Sequence, residues 1–298
     1  MIETDVLTLP APAKLNLYLH VTGKRADGYH LLDSLVAFAN TYDVVKIQAA
    51  SQLSLEIDGP FADGLLADAD NLVLRAAEQL RQLAGSTDGA QITLTKNLPV
   101  SSGIGGGSSD AAATLRGLVR LWGVHPGLHD LSGMALKLGA DVPVCLYGRT
   151  AFMGGIGEKL DPVEALPPVP MVLVNPGVGV STPDIFKART AAFSKVRRFA
   201  APPETTDALI TLLEDNRGND LAEPAITKQP VIGHVLAEIN QTTGCRLARM
   251  SGSGATCFGF FNTTKSAEHA ALSLQKAHPD WWVVASHLIS DVRAVEWL

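Results

Sequence analysis

Between two strand and helix signals the chain reads Pro99-Val100-Ser101-Ser102-Gly103-Ile104-Gly105-Gly106-Gly107-Ser108-Ser109. Glycines at four of these positions let the backbone approach a ligand closely and adopt positive φ. The paired serines and the first free amides of a following helix add hydrogen-bond donors. A strand feeding such a loop into a helix N-terminus makes an anion site, strengthened by the helix dipole. The chemistry it suits is the holding of phosphate, with a tight structural turn as the plain alternative.

The kind of phosphate loop can be narrowed. No Gly-Lys-Ser/Thr occurs, so the GxxxxGK[ST] loop is excluded. A dinucleotide fingerprint starts well at Gly103 and Gly105, but Ser108 holds its third glycine position and several strands precede it. HRD and DFG are both missing, which removes the protein kinases. A second loop, Ser251-Gly252-Ser253-Gly254-Ala255-Thr256, is either a ligand loop or a glycine-rich hairpin. Neither of its serines completes GxSxG, so acyl transfer finds no support.

Three further positions offer chemistry. Asp141 opens the segment DVPVCLY and Lys14 sits on the polar side of a strand. Each alone reads as a solvated or turn-capping charge. Together, the ammonium would align the carboxylate as a proton acceptor. Gly28-Tyr29-His30 places an aromatic ring and an imidazole beside a flexible glycine, suited to a planar base or simply to an exposed loop. The remaining histidines form no HExxH, and His125 and His129 share one helix start at best, so no metal cluster is expected.

The elements that must position these groups alternate between strand and helix. Leu15, Leu17, Leu19 and Val21 alternate with Lys14, Asn16, Tyr18 and His20, which predicts a half-buried strand with the four polar side chains on one face. VVKIQ, LSLEI and QITLTK read as strands, and Asp70 as the N-cap of a helix through Leu72, Ala76, Leu80 and Leu83. A helix is expected over Asp110–Trp122 and another over Leu128–Leu138, stopped by Gly139, with Pro143 blocking continuation. The proline-dense PVEALPPVP marks a boundary between domains 1–160 and 161–298. Beyond it come strand MVLVN, a helix start at Thr182-Pro183 and helices near 205–215, 219–226 and 230–241. Strands RLARM and CFGFF, a helix near 264–277 and strand WVVASHLI close the chain.

At 298 residues, two domains are the better expectation. Apolar residues at 46%, charge at 18% and a slightly positive mean hydropathy describe a filled globular interior and exclude general disorder. A net charge of −6 argues against a nucleic-acid backbone surface, though not against one small nucleotide. Three cysteines without a CxxC pair argue against a disulfide framework and suit a reducing cytoplasm. No secretory signal or membrane-length apolar run is readable, and nothing in the sequence sets the oligomeric state.

Four blocks, PAKLNLYLHVTGKRADGYH, LPVSSGIGGGSSDAAA, LGADVPVCLYG and MSGSGATCF, span residues 12–258 in order. In these the chain resembles a small-molecule kinase of the GHMP superfamily. KRADGYH together with LGADVPV is typical of the branch whose acceptor is a cytidine-diphosphate-linked methylerythritol. The resemblance implies an α+β, two-domain fold, with an N-terminal ribosomal-S5-like nucleotide domain and a C-terminal α+β substrate domain. It implies ATP and Mg²⁺, with the ATP phosphates along Pro99 to Ser109, and transfer to the acceptor's 2-hydroxyl in non-mevalonate isoprenoid precursor synthesis. Carried over by motif, Asp141 would be the general base and Lys14 its partner, with Asn16 touching the acceptor. Tyr29 and His30 would read the cytosine, with Phe186 on the opposite side of the base from Tyr29. Gly252, Ser253 and Gly254 would lie near the acceptor's phosphates or polyol. Ser101 and Ser102 depart from the glycine or alanine usual there. The metal ligands are not assigned, Ser108 or Ser109 being the candidates.

Competing expectations are a homoserine- or mevalonate-type kinase, which needs no cytosine clamp, and an RNA-binding module on the S5-like topology. The acidic net charge and the lack of a basic, aromatic-studded strand face weigh against the second. A dinucleotide-dependent oxidoreductase is the third.

Overall fold

The computed structural model describes residues 6–295; Met1–Asp5 and Glu296–Leu298, the outer ends of the two expected domain spans, lie outside the described residues. The chain opens with two long antiparallel strands, β1 (Leu7–Lys24) and β2 (His30–Ala50), in register from Leu7↔Ile47 to Lys24↔His30. β1 is buried on both faces, not one, because helices and a second set of strands cover it. An irregularity between Asn16 and Tyr18 inserts Leu17 as an extra residue, and a bulge of this kind changes the phase of alternation. Lys14 and Asn16 therefore share the cleft side with Leu19. Tyr18 instead donates to Asp33 at 3.1 Å, and His20 Nδ1 lies 3.2 Å from the Lys195 carbonyl. The expected single polar face does not exist.

VVKIQ is the far end of β2. β3 (Leu53–Asp58) follows, then α1 (Leu72–Ala84) and β4 (Gly89–Thr95), which pairs with β2 and, in parallel, with β3. The cap of α1 is Asn71, whose side chain accepts the Val73 amide at 3.0 Å; Asp70 precedes it and belongs to the turn from Asp68. α2 (Gly106–Trp122) begins inside the glycine loop, a turn earlier than the expected Asp110. α3 (Leu128–Leu138) ends as expected at Gly139, though in extended backbone. α3 does not run on, and Pro143 lies in the first turn of a new helix, α4 (Val142–Tyr147), where no proline N–H is needed.

β5 (Ala151–Gly155) adds to β2 and β6 (Lys159–Pro162) to β5. Residue 160, where the sequence suggests a domain boundary, lies inside β6. The second half contains β7 (Pro170–Asn175), α5 (Thr182–Ala188), α6 (Thr206–Glu214), α7 (Ala222–Lys228) and α8 (Val231–Gln241). β8 (Cys245–Met250), β9 (Cys257–Phe261), α9 (Thr264–Ala277) and β10 (Trp282–Ile289) complete it.

The sheet order β3-β4-β2-β10-β7-β9-β8 joins the halves through Leu288↔Ala39 and Ile289↔Phe38. One core runs across that join, packing Ala13, Leu15 and Leu17 with Met171, Phe258 and Phe260. This is the α+β architecture expected. Cys145, Cys245 and Cys257 are free thiols. Among the described residues, no helix is long and apolar enough to cross a membrane.

Candidate active site

A cleft of about 1610 Å³ lies along the glycine loop. The loop's entry is held by Asp43, whose carboxylate accepts the amides of Asn97 at 2.6 Å and Leu98 at 2.8 Å. Ser102 closes the first turn on the Pro99 carbonyl at 2.6 Å, and Ser101 adopts φ 52°, a left-handed conformation. Gly105 caps α2 at φ 63° without any side-chain cap bond. The amides of Gly106, Gly107 and Ser108 therefore head α2 as the donors a helix leaves free, and these residues line the cleft. Pro99, Val100, Ser101, Ser102 and Gly103 line it too. Ile104 and Ser109 do not: Ile104 is core, and the Ser109 hydroxyl turns away to the Pro12 carbonyl at 2.6 Å.

What surrounds the loop changes along its length. A Cβ on Gly103 would stand 2.5 Å from the Ser251 carbonyl and 2.7 Å from that of Gly254, so the two glycine loops pack backbone to backbone. A Cβ on Gly105 would reach Lys14 Cε at 3.1 Å and Asp141 Oδ2 at 3.7 Å. At Gly106 it would meet Lys96 Nζ at 3.4 Å, and at Gly107 the Leu72 side chain at 4.0 Å.

Lys14 and Asp141 do meet. Lys14 Nζ lies 2.9 Å from Asp141 Oδ2, with the lysine side chain 3% exposed and the aspartate 32%. Asp141 can make this contact because it occupies the N-cap position of α4 without spending its carboxylate on the cap. Lys14 also donates to Asn16 Oδ1 at 2.8 Å, and Asn16 Nδ2 to Ser34 Oγ at 2.8 Å, which fixes the ammonium from behind. The strand itself is pinned to both loops. The Lys14 amide donates to the Ile104 carbonyl at 2.8 Å and the Asn16 amide to Ser251 Oγ at 3.2 Å. Ser251 Oγ in turn donates to the Gly103 carbonyl at 3.1 Å.

Below the loop is a buried charge cluster that no local motif signals. Lys96 pairs with Asp43 and, at 2.7 Å, with Asp110 in the first turns of α2. Burial pushes the Asp110 carboxyl well above the usual carboxylate range, opposed by the Lys96 ammonium and aided by Asp43. Burial alone would lower Lys96, but the two carboxylates outweigh it and raise it. Oδ1 of Asp110 has no hydrogen-bond partner.

Elsewhere the cleft is lined by Tyr29, 59% exposed, together with His30 and Phe186. The structure stacks His30 on Phe186, with ring centroids 5.0 Å apart and planes at 21°. Burial lowers the His30 pKa, helped by the cations Lys24 and Arg189. Those two and Lys187 line the same cleft and suit an anionic ligand, a charge set that sequence patterning missed. From the second loop Gly252 and Ser253 line the cleft, and Ser253 Oγ lies 2.7 Å from Thr182 Oγ1. Gly254 sits behind, where a Cβ would strike Met250 Sδ at 2.8 Å. The arrangement therefore offers phosphate donors, a lysine–carboxylate pair and an aromatic, cationic wall in one cleft.

Comparison with known proteins gives a consistent result. The family of GHMP kinases N terminal domains matches residues 71–149, and that of GHMP kinases C terminal domains matches residues 199–280. The 4-diphosphocytidyl-2-C-methyl-D-erythritol kinase of Paramagnetospirillum magneticum is 53% identical over 283 residues, 95% of this chain and 99% of the relative. The enzyme of the same name from Rhodospirillum rubrum is 49% identical over 291 residues, 98% and 95% of the two chains. A crystal structure of 4-(cytidine 5'-diphospho)-2C-methyl-D-erythritol kinase superposes with a TM-score of 0.77 at 35% identity, covering 95% of this chain and 99% of that one. Homoserine kinase from Cytophaga hutchinsonii shares the fold, with a TM-score of 0.73 at 18% identity over 98% of each chain.

Proposed function

The chain belongs to the GHMP kinases, and from that membership we propose that it transfers the γ-phosphoryl group of ATP to the 2-hydroxyl of 4-diphosphocytidyl-2-C-methyl-D-erythritol. The products are the 2-phosphate and ADP, and the step belongs to non-mevalonate isoprenoid precursor synthesis. The observation that carries this reading is the Lys14–Asp141 pair, set directly beside Gly105 of the phosphate loop.

Asp141 takes the proton of the acceptor hydroxyl as its oxygen attacks phosphorus. Lys14 stands between the carboxylate and Asn16, where it orients the carboxylate and adds positive charge near the transferring group. The amides of Gly106, Gly107 and Ser108 hold the phosphates. The residues present fit ATP: α2 offers uncapped amides, and no Cβ at positions 105–107 fills the cradle. They also fit Mg²⁺, for which the Ser108 hydroxyl would be the loop's ligand, since the Ser109 hydroxyl is bonded to the Pro12 carbonyl. No glutamate lines the cleft among the described residues. Bound there, Mg²⁺ would offset phosphate charge during transfer.

Tyr29, His30 and Phe186 would receive the cytosine, and Lys24, Lys187 and Arg189 the acceptor's diphosphate. Stacking on aromatic faces is worth about 1–3 kcal/mol per base. Gly252 and Ser253 would close the polyol end. The two expected domains would change over after Pro162, with the acceptor entering between them. The same reading places the protein in the cytoplasm, in keeping with three free thiols.

The test is a coupled ADP-release assay with ATP, Mg²⁺ and the cytidylyl substrate, run beside mevalonate and homoserine. Turnover with the cytidylyl substrate alone is expected. Turnover with another acceptor would keep the phosphate loop and remove the clamp. No turnover by folded protein would overturn the reading.

A further inference from the structure

Away from the cleft, α8 and the turn between α9 and β10 bring three ligand-type side chains together. His234 and Glu238 stand one turn apart on α8, a spacing that puts both on one helix face. His278 ends α9 and faces them, with its Nε2 3.3 Å from Glu238 Oε2. One ligand atom from each of the three lies within 4.8 Å of the other two. None of the three lines the cleft.

We propose that His234, Glu238 and His278 form a binding site for a single Zn²⁺ ion. Two imidazoles and one carboxylate are a borderline nitrogen–oxygen set that suits zinc, with the fourth tetrahedral position left to water. Tetrahedral zinc with bonds of about 2.0–2.2 Å holds its ligand atoms roughly 3.3–3.6 Å apart. A small swing of His234, whose side chain is exposed, closes the remaining gap.

Two observations set this group apart from a chance surface cluster. His278 Nε2 is buried, and although Glu238 Oε2 lies 3.3 Å away it forms no hydrogen bond, so an atom able to ligate faces the site without one. Its ring is also held in place. Trp281 stacks on it at 3.7 Å and 11°, and meets His234 edge-on at 5.5 Å. Gln275 Nε2 donates to the carbonyls of Pro279 at 3.1 Å and Trp281 at 3.2 Å, and the His278 amide bonds the Leu274 carbonyl at 2.9 Å. The turn is thus built before a cation arrives, and zinc there would clamp α8 to the α9–β10 connection.

The test uses the full chain, stripped of metal and free of nucleotide, titrated with Zn²⁺ alone against a chromophoric chelator, and with Co²⁺ as a spectroscopic substitute. One equivalent should bind, Co²⁺ should show tetrahedral bands in the visible, and Trp281 fluorescence should change. His234→Ala and Glu238→Gln should each weaken binding by about 100-fold or more, since loss of even an outer-shell partner costs roughly 10–100-fold. Zn²⁺ should raise the Tm of the parent chain and not that of the variants. No binding, equal affinity in the parent and both variants, or a thiolate-to-cobalt charge-transfer band would each overturn the proposal.

Discussion

Lys14 Nζ lies 2.9 Å from Asp141 Oδ2, and the chain passes beside this pair at Gly105, where a Cβ would stand 3.1 Å from the lysine and 3.7 Å from the carboxylate. The absence of a side chain at Gly105 thus serves two purposes. It lets the loop turn into α2, and it leaves the space between the loop and the two charged groups open.

Asp141→Asn tests the carboxylate. Turnover should fall by roughly 10²–10⁴-fold, the usual worth of a positioned base, with the KM for ATP little changed. Steady-state ADP release measures both. A loss smaller than about threefold, near 0.6 kcal/mol, would make Asp141 a structural residue.

Gly103→Ala tests the join between the two glycine loops. Its Cβ would meet backbone oxygens at 2.5 and 2.7 Å, at φ 77°, so neither loop can stay in place. Overpacking and strain together should cost about 2–5 kcal/mol, read as a lower Tm. Gly133→Ala is the contrast: it lies in α3 with nothing within 4 Å of the new methyl and should stabilise by about 0.5–1 kcal/mol.

Tyr29→Ala and Phe186→Ala should raise the KM for the cytidylyl acceptor by roughly 5–150-fold each, the equivalent of about 1–3 kcal/mol of stacking, while the KM for ATP holds. Unchanged acceptor KM in both variants would remove the clamp.

With His30 placed against the cytosine as proposed, acceptor binding should depend on pH. Burial, Lys24 and Arg189 lower its pKa, so the ring takes its proton at a lower pH than an ordinary imidazole does. Acceptor affinity should therefore hold through neutral pH and fall only as pH drops through that lowered pKa. His30→Gln, which cannot titrate, should flatten this acid limb in a KM-versus-pH profile.

Lys96→Met leaves Asp43 and Asp110 buried without their shared cation. Breaking a buried pair in this way costs about 3–5 kcal/mol, which chemical denaturation would register as a lower midpoint. Because Asp43 anchors the loop entry, ATP binding should weaken as well.

The sequence alone determined what short-range rules govern. Periodicity marked most of the strands and helices, and the run of glycines before an apolar helix marked the loop that lines the cleft, since backbone freedom and helix-end donors are local properties. The family resemblance pointed to Lys14 and Asp141 within its motifs and to Phe186 outside them. What periodicity could not carry was phase and partnership. One inserted residue, Leu17, moves Tyr18 and His20 off the face of Lys14, and a bulge is settled by pairing with β2, not by β1 itself. His30 stacks on Phe186, Lys96 meets Asp43 and Asp110, and His234 and Glu238 find His278, each across a long stretch of chain. Only the tertiary structure decided these contacts, because charge, stacking and ligand geometry act through space over a few ångströms, whatever the separation along the chain.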